Sequence, residues 1–202
     1  MTGVKSVDGP GLMARLVDEA ARLLVEQGPA GVSLRKVAAA AGVSTMPVYT
    51  LFGDKRGLLV AMHRQAFQRL GDALRAVPEE EDPLAHLAMV GLAYREAALR
   101  SPHLYALMFG HEVAEVESAV DAEGQAAAEA AYRPLVEGVE RCQAAGVFRP
   151  GDPEQIALHL WAVSHGMVSL ELNGKLPDRG AAEELYVQGL TFAAMPFLTS
   201  PG

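Results

Sequence analysis

The chain has 202 residues, half of them apolar, 6% aromatic, and a net charge of −8. That length can bury a sizeable core in one large or two small domains, and the Ala, Leu and Val content suits helices. The single cysteine, Cys142, excludes an intramolecular disulfide framework and reads as a small buried side chain. No charged-then-apolar leader or membrane-length apolar run is present, so a soluble, cytoplasmic protein is expected.

The first helix is expected over 12–27, with Leu16, Ala20, Leu23 and Leu24 on one face and Gly28-Pro29 as its stop. Residues 32–59 read as two short helices joined by a tight turn. Ser33 caps the first, whose Leu34, Val37, Ala38 and Ala41 share one side. Gly42 supplies the backbone freedom of a helix end. Ser44 or Thr45 caps the second, where Val48 and Phe52, four apart, face the core. Arg35, Lys36, Thr45, Met46, Tyr49 and Thr50 are left pointing outward. Such a polar, basic surface on two helices around a rigid turn suits the DNA major groove. The pattern is a helix-turn-helix.

Asp54 caps a fourth helix over 55–77, too long to belong to a small domain alone and expected to connect two. A charge run between Pro78 and Pro83 follows as a solvated boundary. Helices are expected over 84–100, 102–109 and 123–145, with Pro134 kinking or interrupting the last; the acidic stretch 111–121 is left unassigned. Gly146, Pro150 and Pro153 mark a connection before helices over 153–172 and 181–195. No strand alternation appears. The fold class is therefore all-α: a helix-turn-helix domain over 1–54, a connecting helix over 55–77, and a helical domain over 78–202.

Charge divides along the same line. Residues 1–75 hold 10 Lys and Arg against 6 Asp and Glu, a balance of +4; residues 76–202 hold 7 against 19, a balance of −12. The basic surface lies with the motif, and the acidic remainder repels DNA.

The last two helices are apolar around much of their circumference. In the first, Ile156, Leu160, Val163, Met167 and Leu170 form one stripe, and Leu158, Ala162, His165, Ser169 and Leu172 another. In the second, Leu185, Gly189 and Phe192 lie one way, and Val187, Leu190 and Ala194 the other. A helix apolar on two sides needs two partners, here its own domain and a second copy. The interface expected is Leu158, Ala162, His165, Leu172, Val187, Leu190 and Ala194.

For DNA, Arg35 suits a guanine, Thr45 a base or phosphate, and Met46 with the Thr50 methyl a thymine methyl. Ser33, Lys36, Tyr49 and Lys55 suit phosphates, which position the domain without reading sequence. In the second domain, Met89, Tyr94, Tyr105, Met108, Phe109, Tyr132, Trp161 and Met167 are large and adaptable side chains that suit an apolar ligand cavity. His159 and His165 are six apart and His103 and His111 eight apart, spacings that do not make a metal site. No cofactor or catalytic constellation is expected.

The stretch Ser33-Leu34-Arg35, Val37-Ala38, Ala41-Gly42-Val43-Ser44, Val48-Tyr49, Phe52, Lys55 and Leu58-Leu59 resembles the DNA-binding segment of the TetR family of transcriptional regulators. Pro47 and Leu51 depart from the usual residues of that segment. Trp161, His165 and Gly166 are similar to a tryptophan-histidine-glycine signature in one branch of the family. The resemblance implies a homodimer on a pseudo-palindromic operator in double-stranded DNA, and a repressor released by a small apolar or aromatic effector. Two other readings belong to different classes: a helical enzyme or binding module using the motif as scaffold, and a DNA-binding regulator controlled by a protein partner.

Overall fold

The structure is a computed structural model and describes residues 9–109, 120–177 and 180–199. The described residues form nine α-helices: α1 Gly9–Gln27, α2 Leu34–Ala40, α3 Thr45–Phe52, α4 Lys55–Arg75, α5 Pro83–Arg100, α6 Pro102–Phe109, α7 Ala122–Ala144, α8 Pro153–Leu172 and α9 Ala182–Ala194. Short 3-10 turns at Pro29–Gly31 and Met195–Phe197 complete them. No helix among the described residues is long and apolar enough to cross a membrane. The stretch 111–121, left unassigned from sequence, falls largely outside the described residues.

Contacts gather the chain into two compact units, Met1–Arg69 with His103–Ala128, and Leu70–Pro102 with Glu129–Gly202. Grouping 103–128 with the N-terminal residues was not legible in the sequence. In the first unit, α1 buries Leu16, Val17, Ala20, Ala21 and Leu24 against Val37 and Ala38 of α2, Val48 and Phe52 of α3, and Leu58 and Met62 of α4. Leu104 and Leu107 of α6 join that core. Helix α2 is tied at both ends. The Ser33 hydroxyl accepts from Lys36 N at 3.3 Å, and Arg15 donates to the Ala41 carbonyl at 2.8 Å. Gly42, at φ +66°, makes the turn. At the start of α4, Asp54 caps Gly57 N at 2.9 Å. A Cβ on Gly57 would stand 2.0 Å from the Phe52 carbonyl oxygen, so no larger residue fits there.

In the second unit, α5 and α8 begin alike, with Asp82-Pro83 and Asp152-Pro153. Each aspartate accepts the N–H of the residue two ahead, at 2.9 and 3.0 Å, and each proline fills a position with no helical N–H bond to lose. Leu87, Val136, Val139, Cys142, Phe148, Ile156, Leu160 and Ala193 form its core. Cys142 is fully buried, and burial pushes its thiol up to about 11. Of the kink or interruption expected at Pro134, the interruption does not occur, and α7 is one continuous helix through that position. Proline removes the N–H that would bond the Ala130 carbonyl, and Arg75 donates to that oxygen instead at 3.2 Å.

The faces of α8 and α9 also differ from their sequence reading. The buried side of α8 is Ile156, Ala157, Leu160, Ser164 and Val168, while Leu170 is exposed. In α9 the buried side chains are Ala182, Tyr186 and Ala193, and Phe192 is 61% exposed. The anchor is Tyr186, whose hydroxyl donates to the Gly91 carbonyl at 2.7 Å and shares a hydrogen bond with Ser164. Arg95 lies over the Tyr186 ring and makes a two-pronged pair with Glu171, both contacts at 2.8 Å. These polar ties among α5, α8 and α9 fix the rotation of both helices.

Candidate nucleic-acid interface

Val48 and Phe52 are buried, so the opposite side of α3 is turned to solvent. Thr45, Met46, Tyr49 and Thr50 are all exposed there, Met46 to 76%, and Arg35 and Lys36 of α2 are exposed as well. The Thr50 hydroxyl donates to the Met46 carbonyl at 3.0 Å. Ser44 is the N-cap of α3 without a side-chain bond, and Pro47 falls in the first turn, where a missing N–H is tolerated.

The other two candidates are differently engaged. Ser33 is half-buried and its oxygen serves the cap, although its O–H can still donate. Lys55 is half-buried, and its ammonium donates to the Pro29 carbonyl at 2.9 Å, joining α4 to the turn before α2. Arg56, which the sequence reading passed over, is exposed beside it. Among the described residues, Arg35, Lys36 and Arg56 form no ion pair. The signal for Arg56 was only its adjacency to Lys55 at a helix start.

The eight cavity candidates divide between the units. In the first, Tyr105 is buried and Met108 and Phe109 half-buried. Phe109 packs edge-on to Tyr105 at 5.1 Å and to Phe67 at 5.8 Å between ring centres, and Phe67 lies 4.9 Å from His63. Burial lowers the pKa of His63, whose Nδ1 has no hydrogen-bond partner among the described residues. In the second unit, Tyr94 is buried, and Met89, Tyr132, Trp161 and Met167 are half-buried. Tyr132 and Trp161 meet at 6.1 Å and 73°, and Trp161 and His165 at 5.5 Å and 48°. The Tyr94 hydroxyl lies 3.1 Å from His165 Nδ1. Burial lowers the pKa of His165, so the ring is neutral at pH 7. Met167 lies over Gly189 of α9.

Of the seven interface candidates, Leu158, Ala162 and Val187 are exposed, Leu158 to 54% and Val187 to 44%. Leu172 and Ala194 are half-buried, Leu190 packs on Gly91, and His165 turns to Tyr94. Among the described residues a Cβ at Gly166 would meet nothing within 4 Å. A shallow depression at Ala181, Glu183, Glu184, Val187 and Gln188 is lined by none of the cavity candidates. No three metal-ligating side chains converge among the described residues.

Residues 16–62 match the family model described as bacterial regulatory proteins, tetR family, and residues 87–192 match the tetracyclin repressor-like C-terminal domain. The chain is 36% identical over 92 residues to the HTH-type transcriptional regulator BetI of Burkholderia cenocepacia (strain HI2424). That match covers 44% of this chain and 47% of the relative, so the chain spans about half the length of the curated relatives it matches. Among solved structures, a protein of unknown function from Rhodococcus sp. RHA1 is similar with a TM-score of 0.77 and 32% identity, covering 93% of this chain and 96% of the other. A TetR family transcription regulator from Marinobacter aquaeolei VT8 shares the fold with a TM-score of 0.75 at 20% identity, covering 94% and 96%.

Proposed function

The chain belongs to the TetR family of bacterial regulatory proteins, and from that premise we propose that it is a dimeric, operator-binding transcriptional repressor released by a small apolar or aromatic effector. The observation that carries this reading is the surface of α2 and α3. Six side chains able to touch bases or phosphates are exposed together, on helices locked from behind by Val37, Val48 and Phe52. In this reading Arg35 takes a guanine, Thr45 a base or phosphate, and Met46 and the Thr50 methyl a thymine methyl. The Ser33 hydroxyl, Lys36, Tyr49 and Lys55 hold phosphates, and Arg56 joins them.

Residues 1–54 serve as the DNA-binding domain, 55–77 as the connecting helix and 78–202 as the regulatory domain. The protein acts in the cytoplasm by binding and not by catalysis. Two copies pair through the outward sides of α8 and α9, where Leu158, Ala162, Val187 and Phe192 are exposed, and place their motifs on a two-fold operator. Effector control needs a ligand that binds the released state better than the DNA-bound state. Packing within the first unit supports a route for it: Phe109 touches Phe67 of α4, and α4 begins at the Lys55 link to Pro29.

The test is operator binding by Arg35→Ala. With a site selected from genomic DNA, the variant is expected to lose roughly 1–3 kcal/mol and to relax preference at one base position. Equal losses on operator and random DNA would remove Arg35 from base reading. A wild type that selects no site would remove the regulator reading altogether.

A further inference from the structure

Helix α3 carries four of the six exposed side chains of the reading surface, but its own hold on the domain is slight. Of its eight residues only Val48 and Phe52 are buried. The flanking helices α2 and α4 start on side-chain caps from Ser33 and Asp54, whereas Ser44, the N-cap of α3, makes no side-chain bond. The turn before α3 lies near the surface. Ala41 and Val43 pack on the core only in part, and Gly42 and Ser44 are exposed. The Gly42 and Val43 N–H groups donate to the Ala39 and Ala38 carbonyls at 3.1 and 2.9 Å, which ties the turn to α2, the helix it leaves. Neither bond reaches α1.

The tie to α1 is Arg15, whose guanidinium donates to the Ala41 carbonyl at 2.8 Å from 26 positions earlier in sequence. That carbonyl stands at the C-terminal end of α2, where the last carbonyls lack a helical N–H and partial negative charge gathers, so a cationic donor suits it. The acidic residues at helical spacing from Arg15 are engaged elsewhere. Asp18 pairs with Arg69 of α4, and Glu19 with Arg22. A charged donor makes this a stronger bond than a neutral one. It acts on the residue where the chain leaves α2, three positions before Ser44 starts α3.

We propose that Arg15 is a positioning residue for operator reading: its bond to Ala41 holds the turn between α2 and α3 against α1 and so sets the angle at which α3 meets the groove. This rests on the operator-binding reading above and deepens it. Phosphates are alike at every site, so contacts to them survive a small rotation of α3, whereas base edges must be met at fixed positions. Losing the tie therefore costs discrimination before it costs general affinity.

Two variants test it. Arg15→Met keeps the aliphatic stem and removes the donor, and Arg15→Lys keeps a charged donor. Each is titrated with the selected operator and with random DNA of equal length over a salt series, and amide exchange at residues 43–46 is followed in the free protein. Arg15→Met is expected to bind the operator on the order of ten-fold more weakly and to exchange faster over 43–46, with random-DNA affinity and salt dependence nearly unchanged. Arg15→Lys should recover most of the loss. Equal losses on both DNAs, with a salt slope smaller by about one charge, would make Arg15 a phosphate ligand and overturn the proposal. A lower melting temperature with unchanged operator binding would overturn it too, as the mark of a structural tie alone. Should Arg15→Met not fold, the side-chain NMR signal of Arg15 in wild type decides. Its hydrogen bond to Ala41 should persist in the operator complex, and loss of that bond there overturns the proposal. Failure of the broader reading looks different: wild type then prefers no sequence, whereas the proposal fails alone if wild type discriminates and Arg15→Met discriminates equally well.

Discussion

Lys55 has one duty seen and one proposed. In the structure its ammonium bonds the Pro29 carbonyl, and the proposed DNA-binding reading adds a phosphate contact. Arg56, exposed next to it, has no such tie among the described residues. The two roles separate by measurement. Lys55→Met keeps the aliphatic stem and removes the donor, so it should lower unfolding stability by about 1 kcal/mol in urea titrations as well as weakening operator binding. Arg56→Ala should leave stability unchanged and weaken binding to all sequences, with the salt dependence falling by about one charge. A stable Lys55→Met with an undiminished melting curve would return that lysine to the DNA alone. Ser33 shows the same economy of atoms, with one lone pair accepting the cap and the hydroxyl proton left to donate.

Helix positions in the second unit are set by a few polar ties. Tyr186 of α9 reaches the backbone of α5 at Gly91 and the side chain of Ser164 on α8. Tyr186→Phe keeps the ring and removes both bonds, so it should cost about 1–3 kcal/mol in a denaturant titration. An undestabilised variant would mean that packing alone fixes these helices. Helix α7 has a polar tie of the same long-range kind. Its proline leaves the Ala130 carbonyl without the usual N–H, and Arg75, 55 positions away in sequence, donates to that oxygen. Local sequence reports the missing N–H and is blind to the arginine.

The proposed assembly of two copies makes the outward sides of α8 and α9 decisive. Ala162→Glu and Val187→Glu place charges on exposed positions that the monomer tolerates, so each should give a folded monomer by sedimentation with reduced operator affinity. A wild type that sediments as a monomer at micromolar concentration would end this expectation. Here the limits of the sequence are clearest. Its 3.6-residue periodicity, caps and turn glycines determined the all-α class, the helix-turn-helix over 32–59 and most helix bounds, because those signals act between residues a few positions apart. Leu34, Val37, Val48 and Phe52 are buried as that pattern requires, and the six outward positions between them are exposed. For α8 and α9 periodicity was ambiguous, since apolar residues lie on several sides. Which side turns inward was decided by the tertiary structure, through the hydroxyl of Tyr186, the Arg95–Glu171 pair and the seat of Leu190 on Gly91. The packing of 103–128 with the N-terminal residues belongs to the same class. It depends on contacts between segments far apart in the chain, and hydrophobic burial, being non-directional, does not record in either segment which partner it will meet.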